Sequence, residues 1–185
     1  MLDFTSYFDL PVVGASDDIA GSFPIGYSAC RSTVTGRALL SSRQGGLSLV
    51  TRLKDSEGAL QDEVEFWAGQ VLQMLPALGE LSFSCVANPP PSGKHEWHLA
   101  TAMAQIAARM TGLPYKMLFQ ADEQRGHRAS MQEKLRENIE YQYLSEPSGS
   151  TILVIDDVMC TGKTAQRCVR AAEGDSLRFL FLYRS

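Results

Sequence analysis

The chain has 185 residues, 44% apolar and 21% charged, with a formal net charge of −4. That fits one soluble globular domain with a sizeable core and argues against a general nucleic-acid-coating role. Its four cysteines, Cys30, Cys85, Cys160 and Cys168, have no C-x-x-C spacing, so they read as reduced thiols rather than a zinc site or a disulfide set.

Met1 to Val13 has no basic start and no long apolar run, so a secretory leader is not expected. No apolar segment reaches membrane-spanning length, and a cytoplasmic protein is expected. Residues 1–57 are rich in glycine, and Phe23–Tyr27, Ser32–Leu40 and Leu47–Leu53 read as short strands separated by turns. We expect an N-terminal β-rich subdomain over 1–57, followed by a core over 58–185. Arg31, Arg37 and Arg43 read as a solvated face, with a role over a phosphorylated ligand as the alternative.

Asp62 to Leu78 reads as a helix, because Leu60, Val64, Trp67, Val71, Leu75 and Leu78 make one apolar stripe. Trp67 belongs to the core on this reading. Pro76 is awkward inside a helix, so an irregular last turn is expected, and Gly79 is a plausible stop. Leu81–Ala87 then reads as a strand, running into Asn88-Pro-Pro-Pro-Ser-Gly-Lys94. Three prolines cannot continue a central strand, so they fix a rigid loop. Ser92 and Gly93 could form an anion cradle with Lys94 as a point charge, or the run could be a plain strand–helix linker. A helix follows from about Glu96, with Leu99, Met103, Ile106 and Met110 on one stripe and Gly112 at its end. Tyr115–Phe119 reads as a short strand. Gln120 to Asn138 is rich in charge and reads either as a functional loop or as a solvated segment.

The most informative stretch is I-L-V-I-D-D-V-M-C-T-G-K-T, Ile152 to Thr164. Four apolar residues suit a strand buried on both faces. Asp156 and Asp157 are too expensive to bury unpaired, so the strand is expected to end there. A tight turn through Gly162 and a helix from near Thr164 would aim free N–H groups at one spot. The hydroxyls of Thr161 and Thr164 could add donors. That geometry suits a phosphate. The carboxylates beside it need donors or a cation, which vicinal sugar hydroxyls or Mg²⁺ could supply. Alternation along a strand would divide the acids, one on the diol and one on a backbone amide or a loop Lys or Arg. Two rivals remain. Gly162-Lys163-Thr164 imitates the end of a Walker A loop, but Asp157 stands where that loop needs glycine. The other is a buried strand with a plain helix-capping turn.

The stretch resembles the phosphoribosyl-pyrophosphate (PRPP) motif of type I phosphoribosyltransferases: four apolar residues, two acidic, then Thr-Gly-x-Thr. The resemblance implies an α/β fold, a parallel sheet flanked by helices. It implies Asp156 and Asp157 as catalytic residues on the ribose hydroxyls, with an indirect part in metal binding. Cys160, Thr161, Gly162, Lys163 and Thr164 would hold the 5-phosphate. Ser92, Gly93 and Lys94 would hold pyrophosphate, and Arg125, His127 and Arg128 would lie on a flexible loop that closes over the reaction. The implied activity displaces pyrophosphate from PRPP by a nitrogen nucleophile, with Mg²⁺ as cofactor. Gln132, Arg136, Asn138 and Tyr141 or Tyr143 resemble the ComF-type branch, although the cysteine-rich zinc module often found there is missing. Such enzymes usually cover the nucleobase with a hood. Either residues 1–57 form it, or another subunit of a homodimer does, or no base is bound. A PRPP- or nucleotide-sensing module without turnover and a ComF-like accessory in nucleic-acid processing remain the alternatives.

Overall fold

A computed structural model describes residues 21–24, 33–41, 45–78, 82–91, 97–121, 140–144, 149–160, 162–172 and 175–185. The main sheet contains β1 (Gly21–Pro24), β2 (Thr33–Ser41), β3 (Cys85–Ala87), β6 (Thr151–Met159) and β7 (Ser176–Arg184) in the order β1-β2-β7-β6-β3. β2, β7, β6 and β3 run parallel, and β1 is antiparallel to β2 at one edge. A parallel bridge between Val86 and Tyr115 extends the other edge. Helices α1 (Gly46–Asp55), α2 (Gln61–Leu72), α3 (Leu99–Thr111) and α4 (Lys163–Ala171) flank this sheet. β4 (Phe119–Ala121) and β5 (Tyr141–Tyr143) form a separate antiparallel pair. The protein is thus α/β, with the parallel sheet and flanking helices that the sequence predicts.

Two apolar cores account for the layers. Leu153 and Ile155 of β6 pack with Leu180 and Leu182 against Val50, Leu53, Val64, Val71, Leu99 and Met103 of α1, α2 and α3. Ile152 and Val154 pack with Phe179 and Phe181 against Ala165 and Cys168 of α4. Alternate residues of one strand feed opposite cores, which is why β6 and β7 read as unbroken apolar runs.

Four expectations need correction. Leu47–Leu53 is not a strand but lies within α1, whose buried residues Gly46, Val50 and Leu53 recur at helical spacing. That helix packs on β7, and β2 is hydrogen-bonded along β7, so part of residues 1–57 is built into the main sheet. The helix expected to reach Leu78 ends at Leu72, and the irregular last turn expected at Pro76 is a 3-10 turn at Leu75–Leu78. Pro76 has no N–H to offer the Leu72 carbonyl, so the α-helical ladder stops there. The strands expected over Leu81–Ala87 and Tyr115–Phe119 shrink to Cys85–Ala87 and to the bridge at Tyr115, with Phe119 opening β4. Finally, β6 does not stop before Asp156 but runs to Met159, paired with β7 as far as Arg184.

Candidate functional site

The acid pair sits within β6, near its C-terminal end. Asp156 continues the Ile152–Val154 side of the strand and Asp157 the Leu153–Ile155 side. The two carboxylates therefore face different surroundings. Asp156 is buried, 8% exposed, and its Oδ1 accepts a 2.9 Å hydrogen bond from the Asp157 backbone N–H. Burial, and then the charge of Asp157, push its carboxyl up to about 8, against the opposing pull of that N–H and of Lys54. The same surroundings, burial first and Asp156 second, raise the Cys168 thiol well above its ordinary value. Asp157 Oδ2 lies 2.7 Å from the Lys54 Nζ at the end of α1. The expected division put one acid on the diol and the other on a backbone amide or a loop Lys or Arg. Here Asp156 meets a backbone amide and Asp157 a lysine, so the two contacts named for one acid are shared between both. The basic residue comes from a helix rather than a loop. The expectation that an acidic pair must end the strand failed for a related reason. Asp156 keeps its backbone partners on β7, and its buried carboxyl has an N–H donor and a raised proton affinity.

After β6, Cys160 is exposed and Gly162 caps α4 with φ 72°. Gly162 thus takes the left-handed conformation, and its carbonyl accepts the first helical bond, from the Gln166 N–H at 2.9 Å. The N–H groups of Lys163, Thr164 and Ala165 precede that bond and have no acceptor within the helix. The first turn holds no acidic residue and no side-chain cap. Lys163 is exposed and Thr164 half-buried.

Asp156, Asp157, Lys54 and Thr164 line one cleft of about 770 Å³. Pro89, Pro90 and Pro91 form another part of its wall. Of the predicted site residues, the structure brings Asp156, Asp157 and Thr164 to this cleft, while Cys160 and Lys163 face solvent beside it. Thr161, Ser92, Gly93, Lys94, Arg125, His127 and Arg128 lie outside the described residues, as do Gln132, Arg136 and Asn138.

Sequence reasoning missed several residues of the cleft, Asp55 and Glu57 among them. Lys54 gave no signal, because it directly follows the segment Leu47–Leu53 that reads as a strand. Asn88 is buried, and its Nδ2 donates to the Pro89 carbonyl at 2.7 Å and to Thr101 Oγ1 at 3.1 Å, which fixes the start of the proline run. Trp97 borders this cleft and also a second cavity of about 620 Å³ between α2 and α3. Its ring lies against Gly58, where a Cβ would be 3.0 Å from the indole Nε1. His98, next to it, also lines the cleft. Tyr141 was singled out, but only for the branch resemblance. It reaches the cleft beside Thr164, with the Arg167 guanidinium 5.9 Å from its ring centre. Burial and then Cys168 raise its hydroxyl, while contacts with Arg167 and Thr164 act the other way.

No group of three or more His, Cys, Asp or Glu that could hold a metal ion exists among the described residues. No helix among them is long and apolar enough to cross a membrane.

No family model and no curated protein matches the chain. Among solved structures it is similar to one described as the allosteric regulatory enzyme of purine biosynthesis, at a TM-score of 0.41 and 17% identity, covering 62% of this chain. The match takes in 25% of that neighbour, so the chain spans about a quarter of its length.

Proposed function

We propose that the protein binds PRPP with Mg²⁺ and transfers its ribose 5-phosphate to a nitrogen acceptor. The observation that carries this reading is that two carboxylates at the end of a central parallel strand share one cleft with the uncapped first turn of the next helix. The turn suits a terminal phosphate: free N–H groups, the positive end of the helix, and the Thr164 hydroxyl. The carboxylates suit hydroxyls. A vicinal diol set beside a phosphate is what ribose 5-phosphate offers. In the proposed reaction the acceptor's nitrogen lone pair forms a bond to C1, and the C1–oxygen bond breaks with its electrons leaving on pyrophosphate. The acceptor then gives up a proton to solvent. The protein's part is positioning and electrostatic stabilisation.

The residues present do not make a closed metal cage. Asp157 already carries an ammonium and Asp156 is buried. They would hold Mg²⁺ only indirectly, and the ion would supply positive charge to the leaving pyrophosphate.

The test is incubation with PRPP, Mg²⁺ and a panel of bases and amines, reading pyrophosphate release. Saturable release supports transfer. Saturable PRPP binding without release would replace it with a sensing role. No PRPP binding would overturn the site. Asp157→Asn is expected to weaken PRPP binding about tenfold in calorimetry while the fold survives, because a charged acceptor is lost.

A further inference from the structure

The acid pair has a cation of its own. Lys54 lies in the last turn of α1, a helix seated on β7 through Gly46, Val50 and Leu53. It ends at the same cleft as Asp157, and its Nζ lies 2.7 Å from Asp157 Oδ2. Asp156 Oδ1 is taken by the Asp157 N–H. Among the described residues this leaves Asp157 Oδ1 as the ionised acceptor for one hydroxyl, with the neutral Asp156 carboxyl beside it for the other.

We infer that Lys54 is the resident cation of this pair: its ammonium takes the place on Asp157 that a divalent ion would otherwise take, and it holds that carboxylate in position to receive a sugar hydroxyl. Lys54 is a positioning residue, acting through Asp157. A lysine suits this work, because an ammonium is a compact point charge that neutralises one carboxylate without chelating two. The pair would then accept a diol with no metal of its own, and Mg²⁺ would enter only with the leaving group. The inference rests on the sugar-phosphate reading for its ligand, but not for its cation.

Two probes separate these parts, both applied to the full chain. The first is Mn²⁺ alone, followed by electron paramagnetic resonance. Lys54→Met is expected to take up Mn²⁺ at least about tenfold more tightly than wild type, and adding Asp157→Asn should abolish the gain. Lys54→Gln serves as a second variant should the methionine perturb folding. The second probe is ribose 5-phosphate in the presence of EDTA. Its affinity should fall about tenfold in Lys54→Met and return in Lys54→Arg, which restores the charge. Equal Mn²⁺ uptake by wild type and both neutral variants would overturn the inference, as would unchanged sugar-phosphate affinity in them. If wild type binds no ribose 5-phosphate at all, the functional reading falls, and the Mn²⁺ result alone decides the role of Lys54.

Discussion

The Tyr115 hydroxyl donates a 2.7 Å hydrogen bond to Asn88 Oδ1, joining the chain after α3 to the residue that leaves β3 for the cleft. Backbone bonds on either side reinforce the link: the Val86 N–H donates to the Pro114 carbonyl and the Lys116 N–H to the Val86 carbonyl, both at 2.9 Å. The proline wall of the cleft is therefore held by a satisfied polar network rather than by apolar packing alone. Tyr115→Phe leaves a buried acceptor without its donor and should cost about 1–3 kcal/mol. Asn88→Ala removes three bonds at once and should cost more. Thermal denaturation of the two variants, ranked against wild type, checks the order.

Asp156 gives a pH signature. Its carboxyl stands at about 8 in the folded chain against 3.8 as the ordinary value. Between those pH values the folded chain keeps a proton that the unfolded chain has released. Wild-type stability therefore declines as pH rises through that window. Asn at this position has no proton to lose. Asp156→Asn should gain on wild type steadily from about pH 5 to pH 8 in urea denaturation. Parallel curves would show that the carboxyl is not held in its neutral form.

Gly162 isolates a backbone effect. A Cβ there would meet nothing within 4 Å, yet φ is 72°. Gly162→Ala should cost about 1–2 kcal/mol through the left-handed conformation alone. Gly162→Asn should cost less, because asparagine tolerates that region better. Denaturation midpoints for the two variants provide the comparison, and an equal loss would contradict it.

Gly46 makes the opposite case, a steric one. A Cβ there would fall on the Tyr183 ring, which is buried in the core. Gly46→Ala should lift the start of α1 off β7 and cost about 1–3 kcal/mol. It should also disturb Lys54 at the far end of the helix. Loss of stability accompanied by weaker ribose 5-phosphate binding, measured by calorimetry, is the expected result.

The parallel sheet, the helices after β3 and β6 and the acid pair were legible because their signals are local. Apolar runs, a stripe at helical spacing and a glycine before a helix are all read within a few residues. α1 was misread because Leu47 and Leu49 alternate like a strand, and Val50 and Thr51 favour one. Leu47 is in fact exposed, and the residues that decide the element are Gly46, Val50 and Leu53, through their seat on β7. Lys54 was lost along with that helix. The length of β6 was underestimated because the cost of burying Asp156 was set without its compensating partners. Those partners are supplied by the Asp157 N–H and, across the fold, by Lys54. No reading confined to one segment could have found the second of them.

The place of Trp97 on the wall between two cavities has a practical consequence. The chain contains two tryptophans, and the other, Trp67, packs against the core beside Phe66. A guest entering the acid-pair cleft would change the polarity around one indole and leave the other alone. Intrinsic fluorescence at a single excitation wavelength would then report occupancy without a label, and Trp97→Phe would silence the signal while Trp67 supplies the constant background.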